Sequence, residues 1–528
     1  MDSAVLNQLF RQLFRYPACQ CPRPSSILPA RRPGTVRFST PPRQQSRTFI
    51  ARMRRKMKYD DTETLYWTRR EDYPLDFKET MTYPLVTAKD LRRNRERPRR
   101  IRMLTREFID GTNTYIQPSP ASQPTDFDFA SIIDSLYNPY YGYFTKHATI
   151  FSPGEPFQFN QISDGPSFHQ LLEDRYTEFE DNLDLQEPDI ARQLWHTPTE
   201  LFRPYYGETL ARYLVSNYKL TLYPYHDLII YEMGAGNGTL MINMLDFIRD
   251  TDYEVYQRTK FRIIEISPAL ADLQFQNLKE SLHAAGHIDH VEIINRSIFD
   301  WDTYVHSPCF FLAMEVFDNF SHDAIRYNYQ TEMPQQGGVV ISEFGDFNEY
   351  YNTQLDPLAS RFLRVRQAAA QREFPSPLGT KLTRPLHRGI AKYRGIPHTL
   401  PEYIPTRLMQ FFDILNTYFP GHRLLTSDFS TLPNAIPGLN GPVVQTRYKR
   451  RTVPVSTPFV QQGFFDIFFP TDFDIVEDLY RAITGKLTQT MSHEDFMSRW
   501  AYIEDTETRN GENPLLSWYK NASVMMTV

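Results

Sequence analysis

Cysteine is almost missing from this chain, with three residues in 528. Cys19 and Cys21 sit near the N-terminus, leaving Cys309 alone in the body. That excludes a disulfide framework or a cysteine-built zinc site there. Cys309 lies in an apolar run and is expected to be a small core residue. No apolar run approaches the roughly 18 residues that a membrane-crossing helix needs, so no membrane span is expected. The thirteen histidines include no H-x-x-x-H pair on a helix that reads as a metal site, and no metal is expected. No internal repeat is evident. Acids are missing from one end: residues 3–59 contain thirteen Lys and Arg and no Asp or Glu. Leu6, Leu9, Phe10 and Leu13 there make an apolar face beside Arg11 and Arg15. An arginine-rich, acid-poor, amphipathic start is the pattern of a mitochondrial transit peptide. The alternative is a basic arm for nucleic acid or anionic lipid.

Hydrophobic residues make up 41% and aromatic residues 14%, enough for a real core in one large or two ordinary domains. Without residues 1–59 the chain keeps 45 basic residues against 62 acidic ones, a net charge of −17. An acidic body argues against nucleic acid as a partner and suits a basic, arginine-bearing protein substrate.

The richest segment is Leu228–Leu240, LIIYEMGAGNGTL. Leu228–Tyr231 reads as a strand buried on both faces, as in a parallel sheet. Gly234, Gly236 and Gly238 follow at alternate positions and let the backbone turn and approach a flat ligand. Met241, Met244, Leu245 and Ile248 then fall at helical spacing. Strand, glycine loop and helix make the crevice of a doubly wound α/β fold. The dinucleotide fingerprint is G-x-G-x-x-G, whereas this loop is G-x-G-x-G after Glu232. The closer spacing, with an acid before it, is the pattern of S-adenosylmethionine-dependent methyltransferases. Glu232 is placed to hold the ammonium of that cofactor and would repel a pyrophosphate. A ligand-free turn is the alternative.

A second strand, Phe261–Ile266, ends at Glu265, the position that accepts ribose hydroxyls in such folds. A third, Val291–Ile294, leads to Asn295 and Ser297, candidates for the adenine edge with Ile298 or Phe299 on the ring. Ordinary loop chemistry is the other reading of that turn. The fourth, Cys309–Met314, runs into Glu315 and Asp318, and a fifth, Gly338–Ile341, is expected to close the core set.

At the fourth strand AMEVFDNFSHD is similar to the N-E-F-F-D-A-L-P signature of the MidA family of mitochondrial complex I assembly protein arginine methyltransferases. Leu136–Phe144 (LYNPYYGYF), Thr197–Glu208 (TPTELFRPYYGE) and Phe465–Phe473 (FDIFFPTDF) resemble three further family motifs, in family order. Met314 replaces the usual Asn or His, and Asn319–Ser321 replace Ala-Leu-Pro, so this is a divergent member. The resemblance implies an α/β fold with a Rossmann-like class I methyltransferase sheet, a helical N-terminal cover and a large insertion. It also implies S-adenosyl-L-methionine as cofactor, protein-arginine methylation of type II, and a complex I subunit as partner. A cofactor-binding assembly factor without turnover is the alternative.

Glu315 and Asp318, three apart, suit the orientation of a guanidinium, or else form a helix N-terminal pair. The family match favours the catalytic reading. Glu200 can cover the cofactor's methionine end, form a capping box with Thr197, or both. His322, a lone loop histidine, is expected to be solvated. The organisation expected is presequence and linker 1–59, charged extension 60–125, helical cover 126–226 and core 227–345. A polar insertion at 346–420, as lid or partner surface, and C-terminal strands with a helical tail at 421–528 complete it.

Overall fold

The computed structural model describes residues 101–103, 136, 143 and 148–528, except 190, 281–283, 342–346, 372–373 and 461–462. The expectations for residues 1–59, almost all of 60–125, and most of Leu136–Phe144 lie outside the described residues.

Strand β1 (Ile101–Met103) is followed by β2 (Ala148–Ile150), which pairs in parallel with β3 (Gln193–Trp195). Between β2 and β3 runs helix α1 (Gly165–Gln186), capped by Asp164, whose side chain accepts from Ser167 N at 2.8 Å. Its apolar Phe168 and Leu172 are buried, and Glu180 is held by Arg447. The short α2 (Pro198–Leu201) starts with Thr197 as cap and Pro at its first position, where no backbone N–H is needed. Helix α3 (Tyr205–Thr221) buries Tyr206, Leu210, Tyr213, Leu214 and Tyr218 along one stripe.

The main sheet starts with β4 (Leu228–Met233), every residue of which is buried. Helices α4 (Thr239–Thr251) and α5 (Tyr253–Gln257) lead to β5 (Thr259–Glu265). Helix α6 (Pro268–Glu280) leads to β6 (Val291–Asn295), and β7 (Cys309–Met314) returns to the other side of β4. These four strands are parallel and in register. As expected, Met241, Met244, Leu245 and Ile248 form the buried face of α4.

The chain then leaves the sheet. Strands β8 (Asp323–Tyr327), β9 (Pro334–Ile341) and β10 (Phe347–Asn352) form an antiparallel sheet, with β1 beside β9. Helices α7 (Pro357–Ala369) and α8 (Arg384–Arg394) precede β11 (Glu402–Ile404), which pairs with β8. Helix α9 (Thr406–Tyr418) buries Leu408, Met409, Phe411, Phe412 and Leu415 and leads into β12 (His422–Phe429), parallel to β7. Under the sheet Tyr231 stacks on Phe311 at 6.1 Å, and Phe419 meets Phe311 edge-on at 5.3 Å.

Strands β13 (Val443–Tyr448), β14 (Arg451–Val455) and β15 (Asp466–Phe468) make a small antiparallel sheet. After α10 (Phe473–Thr484), β16 (Thr488–Ser492), α11 (His493–Trp500) and α12 (Pro514–Ser517), β17 (Ala522–Thr527) inserts antiparallel between β12 and β16. The order is therefore β16-β17-β12-β7-β4-β5-β6.

Two expectations are corrected. Gly338–Ile341 lies in β9, hydrogen-bonded on both sides to antiparallel strands, and the place beside β7 belongs to β12. An apolar run such as GVVI fits either sheet, and only long-range pairing decides. The C-terminal tail is not helical throughout, because β16 and β17 complete the main sheet.

Candidate active site

The order of the parallel strands reverses between β4 and β7, so the loops leaving their carboxyl ends part and open a crevice. A cleft lies there, lined among others by Ile150, Trp195, Glu200, Glu232, Gly236 and Glu315. A few convergent polar groups in an otherwise apolar crevice are what a small organic ligand needs.

Gly234, Gly236 and Gly238 have φ of 72°, 55° and 79°, the left-handed region that glycine alone enters without strain. A Cβ on Gly236 would stand 2.7 Å from Ile150 Cδ1, and one on Gly234 would stand 3.2 Å from Val316 Cγ2. The loop thus threads between β2 and the segment after β7. Thr197 caps α2, with Glu200 N donating to its Oγ1 at 3.3 Å. The Glu200 carboxylate does not complete a capping box, because it faces the glycine loop instead. Its Oε1 accepts from Asn237 Nδ2 at 3.0 Å and Thr239 Oγ1 at 2.6 Å, and its Oε2 from Arg203 Nη1 at 3.4 Å.

Glu232, at the end of β4, is buried, and its Oε2 has no hydrogen-bond partner. Burial first and the nearby Glu265 second push its pKa up to about 8. Glu265 ends β5 and is also buried, which raises its pKa, but both its oxygens are engaged. Oε1 accepts from Ser267 N at 2.9 Å and Oε2 from Gln274 Nε2 at 3.1 Å. Gln274 Nε2 also donates to Gly236 O at 2.9 Å, so one amide ties Glu265 to the glycine loop. Asn295 Nδ2 donates to Glu265 O at 2.8 Å, and Asn277 Nδ2 to Asn237 O at 3.0 Å. Ser297 accepts from Phe299 N at 3.2 Å and caps the turn Ile298–Asp300.

At the end of β7 no helix follows, so the helix N-terminal reading of Glu315 and Asp318 does not apply. Glu315 has φ 53°, an unusual backbone for a residue with a Cβ, and its N–H donates to Ser427 O at 2.8 Å. Such strain persists only where surrounding contacts fix it. Asp428, at the end of β12, accepts from Phe317 N at 2.8 Å and Asp318 N at 3.0 Å. Asp318 is buried with its Oδ1 unpaired, and Asp466 Oδ1 is unpaired likewise. Burial is the leading cause for all four acids: it holds Glu315 and Asp318 well above the carboxylate range and lifts Asp428 and Asp466 to about 7. Asp428 adds to the rise at both Glu315 and Asp318.

The structure therefore brings Glu200, Glu232, Gly234, Gly236 and Glu315 to one cleft. Gly238 starts α4 at the end of the loop, Glu265 is tied to that loop through Gln274, and Asn295 bonds the Glu265 carbonyl without lining the cleft. Asp318 stands behind Glu315 against Asp428, and Ser297 caps a neighbouring turn. The expectation for His322 is corrected. It is buried, stacked on Phe469 with centroids 3.9 Å apart, and burial lowers its pKa to about 3, so it is a neutral packing group. Asp428, Asp466, Gln274 and Tyr206, which lines the cleft from α3, were missed. Asp428 lies near the carboxyl end of β12, as Glu232 and Glu265 do on β4 and β5, but β12 is half polar and gives a weaker signal. Among the described residues no group of three or more His, Cys, Asp and Glu side chains is placed to hold a metal ion.

A doubly wound sheet with a glycine cradle at its switch point, an orphaned carboxylate beneath it and an acid after the next strand defines a nucleoside-binding α/β protein. The left-handed glycines and the unpaired Glu232 Oε2 fit a flat nucleoside carrying an ammonium. The family described as "Putative S-adenosyl-L-methionine-dependent methyltransferase" matches residues 209–492. The chain belongs to this family, and S-adenosyl-L-methionine is its cofactor. Two fungal proteins are similar, each named "Protein arginine methyltransferase NDUFAF7 homolog, mitochondrial". The one from Schizosaccharomyces pombe is 26% identical over 324 residues, 60% of this chain and 67% of that protein. The one from Saccharomyces cerevisiae is 22% identical over 343 residues, 61% of this chain and 77% of that protein. A Burkholderia thailandensis structure bound to S-adenosyl-homocysteine has TM-score 0.45 and 14% identity, covering 75% of this chain and 85% of that one.

Proposed function

We propose that this protein is a mitochondrial protein arginine N-methyltransferase of type II, acting on a respiratory complex I subunit. The observation that carries the reading is the group of four acids, Glu315, Asp318, Asp428 and Asp466. All have raised pKa values and none is ion-paired among the described residues. A guanidinium stays protonated in water, and would supply the charge this cluster lacks. The named relatives and the arginine-rich, acid-free residues 3–59 support the mitochondrial assignment.

In this reading Glu232 holds the cofactor's ammonium, Gly234, Gly236 and Gly238 admit its flat parts, and Glu265 takes the ribose. Asn295 and Ser297 border the adenine, and Glu200 closes the methionine end. S-adenosyl-L-methionine supplies a methyl group activated as a sulfonium. Glu315, at the cleft and ionised once a guanidinium stands beside it, orients the acceptor nitrogen and takes up the proton that nitrogen sheds, while Asp318 stabilises the remaining charge. Ile150, Trp195 and Glu200 reach the cleft from β2, β3 and α2, which supports a cover built from residues 126–226.

The test is methyl transfer from labelled cofactor to basic mitochondrial proteins, with methylarginine identified after hydrolysis. Glu315→Gln or Asp318→Asn is expected to slow transfer by roughly 10²–10³-fold and to leave cofactor affinity within a few-fold. An acceptor with Lys in place of Arg should be inert. Cofactor binding without labelled methylarginine would overturn the reading in favour of the silent assembly factor, which the departures at Met314 and Asn319–Ser321 allow.

A further inference from the structure

We propose that α8 with its flanks, residues 379–400, is a docking surface for an anionic phospholipid bilayer. From Phe374 to Pro401 the chain has no acid, yet it carries Lys381, Arg384, Arg388, Lys392 and Arg394. At about 100° per residue, the helix separates these side chains into distinct sectors. Arg384, Arg388 and Ala391 fall on one side, where both arginines pair with Glu332 and Ala391 is buried. Arg388 Nε also donates to Tyr329 O at 3.1 Å, so this side fastens the helix to the turn between β8 and β9.

The opposite side carries Leu386, Ile390 and Tyr393, continued backwards by Leu382. Their exposures are 63%, 42%, 93% and 92%. Isolated exposed apolar residues need no explanation, but three along one helix with a fourth just before its first turn do. Lys392 flanks the stripe on one side and Arg394 on the other, and neither they nor Lys381 have an acidic partner among the described residues. An apolar stripe between cations on a convex helix is the arrangement of an interfacial helix. Leucine and tyrosine enter the headgroup boundary while lysine and arginine reach the lipid phosphates. A local patch of one sign is what allows an otherwise acidic body to approach an anionic surface. An eleven-residue helix is too short to span, so it would lie in the plane.

The experiment is flotation of the full chain with phosphatidylcholine vesicles, with and without one third phosphatidylglycerol. Binding is expected only with the anionic lipid and should weaken as salt rises. Leu386→Asp with Ile390→Asp should cut partitioning by roughly a hundredfold. Lys381→Glu with Lys392→Glu should cut it by about twentyfold or more. Both double variants change exposed side chains, and unaltered thermal unfolding would establish that they fold. Failure of the folded chain to bind anionic vesicles overturns the proposal. So does binding unchanged in the Leu386 and Ile390 variant, which would assign it to residues 3–59. A dimer in solution that this variant disperses would assign the stripe to a second copy of the chain and overturn it equally.

Discussion

The two sides of the crevice are built on opposite principles. On the β5 side the carboxylate and the amide nitrogens are tied to protein: Glu265 with Ser267 and Gln274, Gln274 Nε2 with Gly236, Asn295 with Glu265, and the neutral Gln274 Oε1 alone lacks a partner among these groups. On the β7 side the acids are crowded together, and Asp318 Oδ1 and Asp466 Oδ1 have no partner. Glu232, between the two sides, shares that deficit. A network whose charged group is satisfied holds its shape without a ligand. A buried carboxyl without a partner keeps its proton or waits for a cation. The first side is a preformed mould, and the second carries a deficit of positive charge that a ligand must supply.

The largest effect should come from damaging the mould. Gly236→Val places a branched side chain at φ 55° and within 2.7 Å of Ile150 Cδ1. The backbone cost alone is about 1–3 kcal/mol, and the new methyls enter the cleft. Affinity for S-adenosyl-L-methionine should fall by roughly a hundredfold or more, which is a loss of about 2.8 kcal/mol. Calorimetric titration measures this directly. Binding within tenfold of the parent would mean that the glycine loop is not the cradle.

The mould was legible in the sequence and the deficit only in part, for a physical reason. Strand, glycine loop and helix are contiguous, so apolar periodicity and left-handed glycines mark them within thirteen residues, Leu228–Leu240. Glu265 and Glu315 were legible by the same rule, an acid ending an apolar strand. Asp428 lies near the end of β12, but that strand, HRLLTSDF, is half polar and does not mark its acid as a site residue. Its contact with the Phe317 and Asp318 amides crosses about 110 residues of chain and leaves no local signal. The same holds for β16, whose TQTMS sequence lacks apolar alternation and is a strand only because β17 pairs with it. Gly338–Ile341 shows the converse error, a convincing strand assigned to the wrong sheet.

A pH titration sharpens the comparison from the deficit side. Glu232, Asp428 and Asp466 keep their protons in the folded chain to about pH 8, 7 and 7. Unfolded carboxyls ionise near pH 4. The folded state therefore binds more protons over that interval, and stability falls as pH rises. The buried histidines His322, His422 and His493, lowered to about 3, 4 and 4, oppose this only below their unfolded value of 6.5. Between pH 6.5 and 8 the carboxyls dominate, and Glu232 alone should account for a loss of ~1–2 kcal/mol. Thermal unfolding without cofactor at the two ends of this window should show the fall, and Glu232→Gln should flatten it. An unchanged slope in that variant would show that Glu232 is not buried unpaired.

The smallest effect is expected at Ser297, which follows β6 yet is occupied in capping the Ile298–Asp300 turn. Ser297→Ala removes one acceptor from Phe299 N, a loss of about 0.5–1 kcal/mol in stability by comparison with helix caps. Its hydroxyl proton is still available to a ligand, so a modest fall in cofactor affinity, about twofold to fivefold, is consistent with one neutral hydrogen bond. Glu265→Ala, by contrast, takes the carboxylate acceptor from Ser267 N and one of two acceptors from Gln274 Nε2, and so loosens the tie to Gly236, and its effect should be several times greater. Measured side by side by calorimetry, the two variants ask whether the β5 side recognises its ligand through one hub or many small contacts. Equal losses would disperse recognition along the edge of β5 and β6. A loss concentrated at Glu265 would make the network around Gln274 the reason the mould holds.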